Sequence, residues 1–183
     1  MVSYVTHLEC SYTGKHYSSD GLHSVSDAGK PLMVRYDLGR LGREVSRADI
    51  EASSEPGFWR YSPLLPVAES EDRVSLGEVI TPLVSLERSA RLIGAAPGKV
   101  IVKDESRLPT GSFKARGLGL AVSMAKQLGV EHLAVPTNGN AGSALAAYAS
   151  RAGIRATVLC PDNTPEINTR AVSYTHLTLP TKA

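Results

Sequence analysis

The sequence predicts an α/β fold whose second half alternates strands and helices, preceded by a small β-rich lead-in. Three short apolar runs, at residues 100–102, 133–135 and 156–159, have the length and residue types of buried strands. Two longer runs between them, at 112–128 and 141–151, carry helix-forming residues. The resulting order β-α-β-α-β predicts a parallel sheet covered by helices on both faces.

The first 76 residues predict two smaller units. Residues 1–40 alternate turn signals with β-prone pieces such as 31–36, which is typical of a small β-rich unit. Residues 41–76 contain a short helical candidate around Ala48 and then several prolines, which favour an extended connector. We expect Trp59 to anchor this connector by burial.

Residues 77–171 are expected to form the α/β unit itself. In its first helix an apolar stripe at spacings of three and four predicts the buried face, and Gly129 follows as a stop signal. The stripe consists of Leu118, Ala121, Ala125 and Leu128. The second helix begins with small residues, including Gly142, which permit a close approach to the sheet.

Residues 172–183 break this alternation, because they follow the third strand without a predicted helix. The string resembles the in-frame translation of a sequencing adapter, so we expect it to be non-native and the natural sequence to depart from it near Arg170 or Ala171. The alternative is a genuine β-prone extension of the chain.

The composition argues against several classes of protein. Of 183 residues, 20 are basic and 18 are acidic, and they are interspersed, so no basic stripe is available to bind nucleic acid. Two cysteines, Cys10 and Cys160, are too few for a disulfide framework. No apolar run approaches the length of a membrane span. We therefore expect a cytoplasmic protein without a nucleic-acid or membrane partner.

Lys114 lies in the segment that joins the first strand to its helix, the place where open α/β sheets bind ligands. An ammonium group in a first helical turn faces the positive end of the helix dipole, which favours the neutral amine. A neutral lysine can form a Schiff base with a carbonyl compound. The alternative is a solvated surface lysine, which the position alone would favour.

The second strand-to-helix loop, 136–142, combines glycines with Thr137, Asn138 and Asn140. Its backbone amides and these side chains can bind a carboxylate or phenolate oxygen. The alternative is an Asn helix cap with turn glycines. In a parallel sheet this loop and Lys114 would share one edge.

Together the two loops resemble those of the fold-type II pyridoxal-phosphate enzymes. The string VKDESRLPTGSFKARG followed by PTNGNAGSALAAYASRAG is most similar to the threonine synthase family, and LGEVITPL upstream is similar to that family's Gly-Glu-x-x-Thr-Pro-Leu segment. The resemblance extends over nearly all of residues 5–170. It implies a partial fold-type II fold with pyridoxal 5'-phosphate as the cofactor.

The resemblance also implies roles for single residues. Lys114 would form the Schiff base with the cofactor and move protons, Phe113 would pack against the pyridine ring, and Asn140 would hydrogen-bond the phenolic oxygen. The substrate carboxylate would lie at Thr137, Asn138 and Ala141.

Two acidic residues, Asp104 and Glu105, precede the lysine in the same segment. One alternative is that either of them is a catalytic carboxylate. We favour structural pairing with Arg107 or Arg116 instead.

The lead-in resembles the family's zinc-knuckle-like start, which has two Cys-x-x-Cys-Gly turns. Residues 10–14 keep one cysteine and residues 25–29 keep none, whereas a structural zinc site needs four ligands. The nearby His7, His16 and His23 lack paired spacing. We therefore predict the turn shape without a bound metal.

By resemblance, the whole enzyme would convert O-phospho-L-homoserine and water to L-threonine and phosphate. The family's later glycine-rich phosphate loop does not follow, since Gly153 is the only glycine after Gly142, so we expect these 183 residues alone to be inactive. Two alternatives stay open: another fold-type II lyase or synthase, such as threonine dehydratase or cysteate synthase, and a non-catalytic half-domain that binds a small anion. The resemblance also allows a homodimeric full-length protein.

Overall fold

The computed structural model describes residues 3–55 and 57–173. Its strands in those ranges are β1 (Val5–Cys10), β2 (His16–Tyr17), β3 (Leu32–Tyr36), β4 (Leu83–Ser85), β5 (Ile101–Lys103), β6 (His132–Pro136) and β7 (Arg155–Leu159). Its helices are α1 (Leu38–Glu44), α2 (Arg47–Glu51), α3 (Glu87–Leu92), α4 (Lys114–Gln127), α5 (Asn140–Ala152) and α6 (Glu166–Ser173). The α/β class and the order of strands and helices in the second half are confirmed.

The lead-in is a three-stranded antiparallel sheet in the order β2-β1-β3, as its β-prone pieces indicate. Both predicted turns are present: Gly14 and Gly29 adopt positive φ, and their amides donate to the carbonyl oxygens of Cys10 and Ser26 at 3.0 and 2.8 Å. The Cys10 thiol lies 3.1 Å from the Ser26 hydroxyl, which links the two turns.

The connector is more helical than its prolines predict. The expected short helix is α2, which begins with a reciprocal cap between Ser46 and Asp49. Beyond it, the expectation of an extended chain is wrong, because Gly57–Leu64 forms a 3₁₀ helix that contains Pro63. Proline fixes a φ that helical and extended backbone share, so it does not choose between them. Trp59 is 3% exposed and anchors the segment, as expected.

The strands of the second half pair differently from the simple parallel order. β6 and β7 are parallel, in register from His132 opposite Arg155 to Pro136 opposite Leu159. β5 pairs instead with β4 in an antiparallel arrangement, and within the described residues it does not join β6. The short strand β4 gives β5 a partner that lies closer along the chain than β6 does. The loop of Lys114 and the loop 136–142 therefore do not share the edge of one sheet.

The core lies between α4 and α5, where Val122 and Tyr148 are fully buried. The expected stripe on α4 is partly wrong, because Ala121 is exposed. The buried face consists of Ala115, Gly119, Val122, Ser123 and Ala125. It includes small residues because α5 approaches closely: a Cβ on Gly119 would lie 3.0 Å from the Tyr148 ring. Counting aliphatic side chains alone could not reveal this.

Helix α5 packs against β6 and β7 as its small residues predict. A Cβ on Gly142 would lie 2.9 Å from side-chain atoms of both Thr137 and Val158. Helical cover on both faces was expected, but alternate residues of β6 are exposed, so in the described part of the chain the sheet has one open face.

At the end of the described chain α6 follows β7, so the expectation that no helix follows the third strand is wrong. Val172, in the last turn of this helix, is 4% exposed. The remainder of the predicted non-native tail, 174–183, lies outside the described residues. No described helix is both long enough and apolar enough to cross a membrane.

Candidate functional site

A sharp turn places Lys114 at the start of α4. Thr110 and Gly111 have φ of +66° and +68°, and Thr110 is the one non-glycine residue with positive φ in the described ranges. Two successive left-handed residues reverse the chain before the helix begins. Lys114 is then the first helical residue, and the first turn contains no acidic residue. The predicted placement in a first helical turn is confirmed.

The amine of Lys114 lies beside an exposed aromatic ring. Its Nζ is 4.8 Å from the centroid of Phe113, which is 59% exposed. Lys114 takes part in none of the ion pairs formed among the described residues. An amine without a carboxylate partner, next to an uncovered ring, is accessible to a planar carbonyl ligand.

Glu105 is held by a hydrogen-bond network that ties the start of α4 to the end of β5. Arg116 donates through Nε to Oε2 at 2.5 Å and through Nη2 to Oε1 at 2.9 Å, and the Thr81 hydroxyl donates to Oε1 at 2.7 Å. The Arg116 hydrogen bonds lower the pKa of Glu105 to about 2. Arg107 Nε lies 3.4 Å from Asp104 Oδ2. The expected structural pairing of both acids is confirmed.

Glu78, the glutamate of the LGEVITPL segment, is a buried carboxylate to which sequence reasoning gave no role. It is 3% exposed and accepts from Tyr148 Oη at 2.5 Å, from Ser75 Oγ at 2.5 Å and from the Leu76 amide at 3.1 Å. Burial raises the pKa of Glu78, but these hydrogen bonds outweigh burial and hold the pKa below its ordinary value. Burial, together with the same hydrogen bond, raises the pKa of Tyr148. No local pattern could have indicated a partner on another element.

The second loop leads into α5 without a side-chain cap. The N-cap residue is Gly139, in extended conformation, so the alternative of an Asn cap is wrong. Thr137 fixes the loop: its amide donates to the Leu159 carbonyl at 2.8 Å, and its hydroxyl accepts from the Gly139 amide at 3.2 Å. Backbone amides at an uncapped helix N-terminus favour an anion.

An open cleft of about 460 Å³ lies at the carboxyl ends of β6 and β7. Its lining includes Thr137 and Asn138, two of the predicted substrate-binding residues, together with Cys160, to which sequence reasoning gave no role. Lys114 and Phe113 are not among the residues that line this cleft.

Helix α5 connects the two groups of predicted site residues. Asn140 and Ala141 are its first two residues, directly after the cleft loop. The turn 109–111, which precedes Lys114, packs against the same helix. Sequence reasoning placed these groups at one sheet edge, whereas the structure relates them through the packing of α5.

Comparisons with known proteins identify the family of the chain. The family model described as "Pyridoxal-phosphate dependent enzyme" matches residues 74–175. The chain is 37% identical to threonine synthase of Methanosarcina acetivorans over 156 residues, which is 85% of this chain and 37% of that protein. It is 44% identical to threonine synthase of Synechocystis sp. over 102 residues, which is 56% of this chain and 26% of that protein.

Among solved structures, the chain is similar to a pyridoxal 5'-phosphate-dependent aspartate racemase, with a TM-score of 0.54 and 26% identity. The match covers 74% of this chain and 37% of that chain. The chain thus spans between about a quarter and little more than a third of the length of these relatives. Because the family model covers more than half of its residues, the chain belongs to the pyridoxal-phosphate dependent enzyme family.

Proposed function

We propose that the full-length protein is a threonine synthase, which converts O-phospho-L-homoserine and water to L-threonine and phosphate with pyridoxal 5'-phosphate as its cofactor. The observation that carries this proposal is the unpaired Lys114 amine at the first turn of α4. Its motif lies in a chain that aligns over 85% of its length with a protein named threonine synthase.

The residues around this amine fit an acceptor-rich aldehyde cofactor. In the described part of the chain, the hydroxyl oxygens of Thr110 and Ser112 are buried without a hydrogen-bond partner. Both can donate to an anionic oxygen, which would satisfy them. Phe113 supplies an exposed ring for stacking, and the uncapped start of α5 supplies amides for a second anionic group.

Each predicted residue has a task in this proposal. When bound, the cofactor supplies an electron sink for negative charge that develops on the substrate carbon. Lys114 Nζ would attach the cofactor covalently and transfer protons, Phe113 would pack on its ring, and Asn140 would hydrogen-bond its phenolic oxygen. The residues that orient the substrate carboxylate are Thr137, Asn138 and Ala141.

The network of Glu105 supports this site without touching the substrate. It fixes Arg116, on the first turn of α4, and thereby the direction in which that turn projects its lysine. Glu105 and Arg116 are positioning residues, whereas Lys114 is the catalytic residue of the proposal.

The test uses full-length protein that contains these residues. After incubation with pyridoxal 5'-phosphate and reduction with borohydride, we expect a pyridoxyl adduct on Lys114 by peptide mass spectrometry. Lys114→Ala should abolish the adduct and lower the rate of threonine formation by at least a thousandfold, because covalent attachment and proton transfer are both lost. Lys99→Ala, an exposed lysine before β5, is the matched control and should change neither.

The outcomes distinguish the alternatives. Ammonia release from threonine without turnover of O-phosphohomoserine would support a dehydratase, and formation of cysteate would support a cysteate synthase. A full-length protein that forms no adduct and binds only a small anion would be a non-catalytic module, and the proposal would be wrong. We also expect the 183 residues by themselves to form no threonine, which the same assay measures.

A further inference from the structure

We propose that His7, Glu9 and His16 form a binding site for a borderline divalent cation such as Zn²⁺. The three residues belong to the lead-in sheet, outside the residues assigned to the cofactor and substrate. Their ligand atoms all lie within 4.8 Å of one another. This proposal does not depend on the proposed enzymatic function.

Strand pairing, which spacing along the chain could not reveal, brings the three ligands together. His7 and Glu9 are two residues apart on β1 and so share a face of the sheet. Glu9 lies directly opposite His16 of β2 in the register. Each histidine Nε2 is 3.8 Å from Glu9 Oε2, and the imidazole rings lie 3.9 Å apart between centroids.

The hydrogen bonds of Thr6 leave His7 Nε2 available as a metal ligand. Its hydroxyl lies 3.2 Å from the Arg35 carbonyl, which can only accept, so the single hydroxyl proton is donated there. The same oxygen lies 2.9 Å from His7 Nδ1 and must therefore accept a hydrogen bond from it, so Nδ1 carries a proton. In the neutral ring Nε2 then carries the lone pair.

His7 Nε2 is also an atom that lacks a hydrogen-bond partner. It is buried and makes no hydrogen bond among the described residues. A bound cation would supply that partner. The hydrogen bond between Thr6 and His7 Nδ1 would then fix the orientation of the imidazole ring. This arrangement, in which the second ring nitrogen donates to an oxygen, is the usual one for histidines that bind metals.

The Glu9 carboxylate has one oxygen available to bind a cation. Arg35 Nη2 donates to Glu9 Oε1 at 2.5 Å, which leaves Oε2 facing both imidazoles. In a tetrahedral zinc site with bonds of about 2.0–2.1 Å, neighbouring ligand atoms are separated by about 3.3 Å. Each observed histidine-to-carboxylate separation of 3.8 Å requires a contraction of about half an ångström, and the two histidine ligand atoms lie within 4.8 Å of each other.

The ligand set selects the class of cation. Two imidazoles and one carboxylate favour zinc and its neighbours over magnesium or calcium. Three protein ligands leave one tetrahedral position for water. Cys10 follows Glu9 on β1 and so projects from the other face of the sheet, which separates this site from a knuckle built on cysteine turns.

A cation at this position would hold β2 to β1. β2 has two residues and so few backbone hydrogen bonds with its neighbour, whereas His16 would be joined to the central strand by coordination. Because only the folded lead-in assembles the three ligands, binding should raise the thermal unfolding temperature in a concentration-dependent way.

The test uses the whole chain, freed of metal by a chelator and carrying no histidine tag. Calorimetric titration with Zn²⁺ should give one site, and Co²⁺ should give the visible absorption of tetrahedral coordination without a thiolate band. His7→Ala and His16→Ala should each weaken Zn²⁺ binding by at least tenfold. His23→Ala is the matched control, since this histidine lies in the same lead-in but outside the cluster, and Cys10→Ser tests for thiol ligation.

Unfolding temperatures of the metal-free variants show whether each variant folds. With folded variants, unchanged Zn²⁺ affinity in both His7→Ala and His16→Ala would overturn the proposal. Loss of binding in Cys10→Ser would assign the metal to the thiol instead, and absence of binding by the wild-type chain at micromolar Zn²⁺ would also refute the site.

Discussion

The α4–α5 layer and the β4–β5 pair both contain apolar side chains, yet they differ in burial. Val122, Tyr148 and Ala149 are fully buried between the two helices. All six residues of β4 and β5 are exposed, with Leu83 at 67% and Ile101 at 54%. A run of apolar residues therefore predicts a strand, but burial depends on whether another element covers it.

The contrast also separates two kinds of stabilisation. In the helical layer each side chain fills space between neighbours, so its removal leaves a cavity. In the strand pair three residues of each strand lie opposite one another in the ladder, but the exposed side chains contribute little free energy of burial. The Glu105 network lies where these regions meet and links the two.

The largest expected effect comes from truncating a residue of the helical layer. Tyr148→Ala removes a fully buried ring and leaves Glu78 without its phenol donor, so we expect a loss of about 3–5 kcal/mol in the free energy of unfolding. Leu83→Ala in the exposed pair should cost less than about 0.5 kcal/mol. Urea unfolding of the chain measures both, and similar losses would contradict the difference in burial.

A smaller effect is expected at the junction between the regions. The pKa of Glu105 is lowered from 4.5 to about 2, so its stabilising contribution is complete above about pH 4.5 and disappears as the pH falls toward 2. Glu105→Gln should lower stability at pH 7 by about 2 kcal/mol, because Arg116 loses a charged acceptor.

The same substitution should flatten the decline of stability between pH 4.5 and 2, which urea unfolding at several pH values would show. Glu131→Gln is the control, since Glu131 is exposed and forms no ion pair within the described ranges. An unchanged acid profile in Glu105→Gln would mean that the network does not bind this carboxylate in solution.

The smallest effect tests how closely α5 approaches the sheet. Gly142→Ala places a methyl group 2.9 Å from two β-branched side chains, which have little freedom to move, so we expect a loss of about 1–2 kcal/mol. Gly117→Ala, on the exposed side of α4, meets no atom within 4 Å and should stabilise the chain by about 0.5–1 kcal/mol. A lower unfolding temperature for Gly142→Ala and a higher one for Gly117→Ala would support the packing; a neutral Gly142→Ala would contradict it.

Local signals predicted the elements that local interactions determine. α4 and α5 were predicted from helix-forming residues and periodicity, the parallel pair of β6 and β7 from the alternation of strands and helices, and the turns at Gly14 and Gly29 from the family resemblance. The placement of Lys114 followed from its position after a strand. The helices and the turns depend on residues within a few positions of each other, and the parallel pair joins strands that are consecutive along the chain.

Features that depend on distant contacts could not be predicted in this way. The pairing of β5 with β4, the buried face of α4 and the carboxylate of Glu78 each require knowledge of a partner on another element. The cluster of His7 and His16 is another example, because the turn that joins β1 and β2 determines which histidines meet. The motifs indicated a function although they did not predict the packing, because a motif preserves the residues that carry out the chemistry and not the residues that pack around them.

The hydrogen bond between Glu78 and Tyr148 has a consequence for synthesis on the ribosome. The two residues are 70 positions apart. Because translation proceeds at about 5–20 residues per second, roughly 4–14 s pass between the synthesis of Glu78 and that of Tyr148. During that interval a nascent chain holds this carboxylate in water. We therefore expect the segment around Glu78 to acquire protection from proteases only after α5 has emerged and docked.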